Sequence, residues 1–178
     1  MIRTRFVAIA AVALVAGLSG CTTSDRFGEP TSATPGKEGV SVESELTWQE
    51  AKAQSQAMEL EIAELIPEDK VVKVEQKATG ILFECGEAQH LWKGSTAVTL
   101  SAGTDPEPIV QAIEAHYQDS RFTIKTSTSV TGNYRIQLRS PDTSENYIIV
   151  KDGPGEVRIA SGSACFTLPE GVYPGGDF

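Results

Sequence analysis

Residues 122–159, FTIKTSTSVTGNYRIQLRSPDTSENYIIVKDGPGEVRI, decide the fold. Alternate positions carry Phe122, Ile124 and Thr126, then Tyr134, Ile136 and Leu138, then Val157 and Ile159. A period of two is that of a strand with one face buried. Thr131-Gly132-Asn133, the polar stretch 141–145 and Asp152-Gly153-Pro154-Gly155 separate these runs, and their residue types favour turns. Residues 147–150 are apolar without interruption and read as a strand central in a sheet. Four strands joined this tightly pair antiparallel, because a parallel crossover needs a dozen or more connecting residues.

A comparable set of elements precedes them. Thr47-Trp48-Gln49-Glu50 matches a capping box, in which the Thr side chain and the Glu side chain each satisfy the other residue's amide. Trp48, Ala51, Ser55, Met58, Ile62 and Leu65 then recur every three or four positions and predict a helix with one core-facing stripe, ended by Pro67. Ala, Gln and Glu fill its other face, which is expected to look to water. Residues 71–75, 81–85 and 91–100 read as strands, the last with a bulge at Gly94. Thr104 or Asp105 caps a second helix, with Pro106 near its first position, where a missing amide costs nothing. Ile109, Val110, Ile113 and Tyr117 form its buried face, and it is expected to end near Ser120. The tail from Ser161 onward reads as mostly irregular.

Two amphipathic helices cannot cover both faces of a wide sheet, so both are assigned to one face. The expected architecture is a two-layer α+β domain with a mostly antiparallel sheet of about 6–7 strands. It occupies residues 46–178 of the 178-residue chain.

The first 45 residues read as an address and a tether. Arg3 and Arg5 precede an uncharged apolar run over residues 6–18. That run is too short for a spanning helix, which needs about 20 residues, and it fits the core of a secretory signal. Leu18-Ser19-Gly20-Cys21 follows directly, the small-residue box that a lipoprotein signal peptidase requires. Residues 1–20 are therefore expected to be removed. Cys21 is expected to carry the lipid, including palmitate, that anchors the chain to the outer side of the cell membrane. Residues 22–45 are rich in Ser, Thr, Gly, Pro and Glu and are expected to be a disordered stalk, spanning about 25–30 Å as a random coil.

Composition narrows the partners. With Arg3 and Arg5 removed from 15 basic side chains, against 24 acidic ones, the formal charge moves from −9 to −11. An acidic balance argues against nucleic acid and against docking on anionic headgroups. Of three cysteines, Cys21 is assigned to lipid, leaving Cys85 and Cys165 as an even pair in an exported chain, where disulfides persist. The two are expected to bond. With His90 and His116 they lack the spacing of a metal site.

No nucleophile elbow, phosphate-binding glycine loop, metalloprotease helix or calcium loop occurs. A serine nucleophile would need a base in reach, and only His90 and His116 could serve. Exposed aromatics could hold sugar rings, with Trp92, Tyr134, Tyr147 and Tyr173 as candidates. The residues singled out for binding are His90, Trp92 and Tyr173; no cofactor is expected.

The LSGC box, the stalk, and the segments TGILFECGEAQHLWKGSTAVTL (79–100) and IASGSACFTLPEGVYPGG (159–176) together resemble small actinobacterial cell-envelope lipoproteins, the LppA-like group of unknown function. The resemblance implies an envelope location and carries no catalytic residues. The leading expectation is a non-enzymatic module that binds an envelope protein or wall component through its sheet or C-terminal segment. The alternatives are a small hydrolase of wall polymer, working through His90 or paired carboxylates, and a carrier of lipid or a small ligand in a cavity between the layers.

Overall fold

Thr47 starts the first helix in the computed structural model, which describes residues 45–178. The export signal, Cys21 and the stalk up to residue 44 lie outside the described residues. The Thr47 side chain accepts from the Glu50 amide at 3.2 Å, and Glu50 accepts from the Thr47 amide at 2.9 Å, so the capping box is complete. Helix α1 runs Trp48–Glu64 and helix α2 Pro106–His116, the latter capped by Asp105. The α2 helix stops earlier than its composition suggested. Residues 117–120 close as turns, with the Ser120 amide donating to the Tyr117 carbonyl.

Eight strands form one antiparallel sheet. They are β1 (Val71–Gln76), β2 (Ile81–Gly86), β3 (Gln89–Leu100), β4 (Thr123–Thr128), β5 (Tyr134–Arg139), β6 (Asn146–Lys151), β7 (Glu156–Gly162) and β8 (Phe166–Thr167). The order is β1-β3-β7-β6-β5-β4. The long strand β3 is the hub: β1 pairs with its C-terminal half and β2 with its N-terminal half, while β7 and the short β8 pair with it as well. The eighth strand is the addition to the expected count. It is two residues long, too short to show a period in sequence.

Both helices lie on one face. The main core is built from Met58, Ile62, Ile109, Val110 and Ile113 of the helices against Val98, Ile136, Leu138, Ile149, Val157 and Ile159 of the sheet. Burying these eleven side chains is the dominant favourable term of folding, at about 1.5–3 kcal/mol each before entropy is charged. A second cluster joins Ala51, Trp92 and Phe166 with Trp48 and Phe178.

The register of β3 with β7 is continuous from Lys93 to Thr99, so Gly94 is not a bulge. Its hydrogen side chain has another purpose. A Cβ at Gly94 or at Gly80 would overlap the Trp92 indole, which lies across both glycines. The irregularities fall instead between Val71 and Lys73 and between Glu84 and Gly86.

The C-terminal segment is irregular over most of its course, but its end is held. Phe178 and Gly80 exchange backbone hydrogen bonds of 2.8 and 2.9 Å, and the Phe178 ring meets Trp48 edge-on. Cys85 and Cys165 are a disulfide-distance pair, with Cα atoms 6.0 Å apart. They tie the end of β2 to the segment before β8. Among the described residues, no helix is long and apolar enough to cross a membrane.

Candidate functional site

Trp92, His90 and Tyr173 do not form one site. Trp92 faces the helices from β3 and is wholly buried; its Nε1 donates to the Phe178 carbonyl at 3.3 Å. It is a core residue. His90 is half-buried at the start of β3, opposite Phe166 of β8, and its Nδ1 has no hydrogen-bond partner. Tyr173 is 80% exposed, with its ring against Gly175. Tyr147 is buried and Tyr134 half-buried, both on the helix-facing side of their strands.

Two clusters of polar groups are built into the fold. The first is Glu59, which sequence periodicity assigned to the watery side of α1 and which is instead fully buried. Its carboxylate accepts from Ser161 Oγ at 2.5 Å, Thr96 Oγ1 at 2.7 Å and Gln76 Nε2 at 3.1 Å. Burial pushes the Glu59 carboxyl above its ordinary range, and these three bonds oppose the shift without cancelling it. No second carboxylate touches Glu59, so the cluster pins α1 to β1, β3 and β7.

The second is Glu145, which takes both arms of the Arg121 guanidinium at 2.7 and 2.9 Å and the Tyr147 hydroxyl at 2.8 Å. Burial raises the Glu145 carboxyl, but the bonds from Arg121 and Tyr147 and the Arg121 charge outweigh it, leaving the pKa below the ordinary range. Burial and the neighbouring Glu145 charge push the Tyr147 phenol upward. Tyr134 donates to Glu114 of α2, and its phenol is raised to about 12 by that bond first. Among the described residues no group of three or more His, Cys, Asp or Glu side chains is arranged to hold a metal ion.

The face of the sheet that neither helix of the described residues covers has a different character. Because Val98, Ile136, Leu138, Val157 and Ile159 point at the helices, their immediate neighbours point away. Registered pairs align these neighbours in rows across the strands. One row is Glu75, Ala97, Arg158, Val150, Arg135 and Ser127. The next is Ser95, Ala160, Ile148, Gln137 and Lys125. The third is Ile81, Lys93, Gly162, Asn146, Arg139 and Thr123. These rows hold Lys93, Lys125, Arg135, Arg139 and Arg158 against one carboxylate, Glu75, which is itself paired with Lys73 at 2.7 Å; the adjoining row, Lys73, Thr99 and Glu156, adds one charge of each sign. Arg158 meets Asp152 at 3.0 Å. Among the described residues, Lys93, Lys125, Arg135 and Arg139 have no carboxylate within ion-pair distance.

No protein-family model, curated protein or solved structure matches the chain.

The helix layer carries the opposite sign. Glu50, Glu61 and Glu64 on α1, Glu68 and Asp69 after it, and Glu107 and Glu114 on α2 stand against Lys52 and Lys70. The chain's net negative charge therefore averages an acidic helix layer and a basic sheet face, and the sheet face is where an anion is attracted.

That basic face also has relief. A depression of about 400 Å³ lies over Lys77, Gly80, Ile81, Lys93, Ser95, Arg158, Ala160 and Asp177. A second, of about 370 Å³, lies over Val130, Arg135, Ile148, Val150, Lys151, Asp152, Arg158 and Ala160. Shared Arg158 and Ala160 join the two into a trough across the strands. The small side chains of Ser95 and Ala160 form part of its floor. A third hollow, about 420 Å³, lies between α1 and the edge strand β1, lined by Leu60, Ala63, Ile66, Val71 and Val74 with Glu64 and Glu68 at its rim.

The signal for the basic face was present in the sequence, in the residues between the apolar ones: Arg135 and Arg139 flanking Ile136 and Leu138, Lys125 after Ile124, and Arg158 between Val157 and Ile159. Reading only the apolar partners of each strand passed over it.

Proposed function

We propose that the protein is an exported, lipid-anchored binding module of the cell envelope, related to the LppA-like lipoproteins. The sheet face opposite the two helices is the surface that meets a partner. The observation that carries this reading is that Lys93, Lys125, Arg135 and Arg139 on that face have, among the described residues, no carboxylate partner in an otherwise acidic domain. Unpaired like charges on one face are a cost to the folded chain alone, and a complementary partner relieves it. The anchor rests on the sequence: a positive start, an apolar run and LSGC ending at Cys21. Two acyl chains would hold the domain at the membrane where one would not. The pairing distance of Cys85 and Cys165 supports an oxidising compartment.

Two experiments test it. Growth with an alkyne-bearing fatty acid is expected to label the wild-type chain and to leave Cys21→Ala unlabelled; labelling that survives the substitution removes the anchor. Photocrosslinking residues placed at Ala97 and Gln137 on the sheet face are expected to capture envelope components in living cells. The same probes at Ala53 and Ala112 on the exposed side of the helices are expected to capture none. Adducts from the helix probes with none from the sheet probes would sink the assignment of the face.

A further inference from the structure

We infer that the trough over the sheet binds a linear anionic glycopolymer, one that carries a phosphate or a carboxylate in each repeat. The inference rests on the sheet face being the partner-facing surface and adds the chemistry of what lies there. Four observations lead to it.

The first is charge. Arg135 stands two strands from Arg158 in one row, about 10 Å at ordinary strand spacing, and since Arg158 already meets Asp152 at 3.0 Å, the unopposed charge of that row is Arg135's. Lys93 and Arg139 stand in another row three strands apart, about 14 Å. Cations spread this way suit a ligand whose negative charges repeat along its length rather than a single small anion. The second is shape. The two joined depressions make an elongated hollow with the Arg158–Asp152 pair at its waist, Lys77 and Lys93 with Asp177 in one half, and Arg135 and Lys151 in the other, so cations outnumber carboxylates along it.

The third is what the floor withholds. β7, β6 and β5 each have a partner on both sides, so their backbone donors and acceptors are spent on the ladder. A peptide laid across them would find no main-chain partners, which are its usual source of affinity on a sheet. A polymer held by its own charges does not need them. The fourth is the distribution of apolar side chains. Ile81 and Phe83 are exposed at the β2 margin, and Val130 at the tip between β4 and β5. They stand at opposite ends of the sheet and make no continuous patch for a flat bilayer to receive. Arg presents a planar fork that fits either a phosphate or a carboxylate, so both belong to the same recognition chemistry.

The test is equilibrium binding of the full mature chain in neutral detergent. The two ligand arms are poly(glycerol phosphate) and polygalacturonate, the phosphate and carboxylate sources of the charge. Neutral dextran, poly-glutamate, and phosphatidylcholine vesicles containing phosphatidylglycerol are run beside them. At least one anionic glycopolymer is expected to bind, with affinity falling steeply between about 50 and about 300 mM salt. Dextran is expected not to bind. Lys93→Gln with Arg135→Gln is expected to weaken binding about tenfold, since each exposed charge is worth roughly threefold. Both side chains are solvent-facing, and unchanged circular dichroism and thermal midpoint will separate lost binding from lost folding. Lys52→Gln with Lys70→Gln removes the same charge from the helix layer and is expected to change affinity less than twofold. Failure of both polymers to bind, equal or tighter binding of poly-glutamate or anionic vesicles, or equal loss in the helix-layer variant would each overturn the inference. Crosslinks from Ala97 and Gln137 to a protein, with no polymer bound, would overturn the ligand class and leave the binding module standing.

Discussion

Truncating Glu59 tests whether the buried carboxylate is a fastening rather than an accident of packing. Glu59→Ala deprives Ser161, Thr96 and Gln76 of their shared acceptor inside a site from which water is excluded. Leaving a buried donor unpaired costs about 1–3 kcal/mol. The hydroxyls of Ser161 and Thr96 can turn toward backbone carbonyls and Gln76 is only partly buried, so the lower end applies to each. With a modest cavity cost added, the loss is about 3–4 kcal/mol. For a domain of this size that lowers the thermal midpoint by roughly 10–15 °C.

Glu59→Gln separates shape from charge. Burial holds the native carboxyl above its ordinary value, so the folded chain keeps a proton that the unfolded chain has already released. Between those two pKa values the native state binds more protons, and stability falls as pH rises through that window; below the unfolded value the contribution is complete. The amide has no proton to lose, so Glu59→Gln is expected to flatten this part of the stability curve and to be at least as stable as wild type at neutral pH. Urea denaturation followed by circular dichroism across pH 4 to 8 (roughly the span of a shifted carboxylate) reads both quantities. If Glu59→Ala loses less than about 1 kcal/mol, or Glu59→Gln keeps the wild-type slope, the network does not fasten the layers.

Glu145 should behave with the opposite sign. Its folded pKa is depressed, so its contribution is present above the unfolded carboxylate value and is lost as pH falls through the folded one. Glu145→Gln is expected to cost about 1 kcal/mol at neutral pH, discounted because Arg121 is well exposed, and to blunt acid unfolding below about pH 4; an unchanged acid limb refutes this. Gly94→Ala drives a methyl into the Trp92 ring and is expected to destabilise by about 3 kcal/mol or more in the same urea assay. A neutral result would mean that the indole does not lie across β3 as described. Intact mass with thiol alkylation should find Cys85 and Cys165 blocked until reduction. Reduction should then cost roughly 3–5 kcal/mol for residues 80 apart in sequence, on the chain-entropy account. Free thiols without reductant would remove the staple.

The strands from Phe122 onward were legible because each buries one face only, which leaves a period of two in the sequence, and because Gly, Pro and Asn mark the turns. The two helices were legible from capping chemistry at Thr47 and Asp105 and from their apolar stripes. Placement of both helices on one face followed from counting: two stripes cannot cover two faces. By contrast, β8 has two residues and no pattern, and its existence depends on where β3 begins.

Glu59 marks the limit most clearly. Its position beside Ser55 and Ile62 on the helix was readable, but a Glu in a helix is normally solvated. Only Ser161, 102 residues away, and Thr96 on another strand supply the hydrogen bonds that let it be buried. Gly94 was visible as a glycine in a strand, and its reason, the indole of Trp92 folded back over it, was not. The cations of the sheet face were each visible as polar positions in alternating strands. That they share a face, fall in registered rows and find few carboxylates is decided by pairing across strands far apart in the chain. Local pattern thus determined which segments are helices and strands, because periodicity and capping act within a dozen residues. Tertiary structure alone determined which polar groups are buried together and which charges stand unopposed, because those depend on register between distant segments.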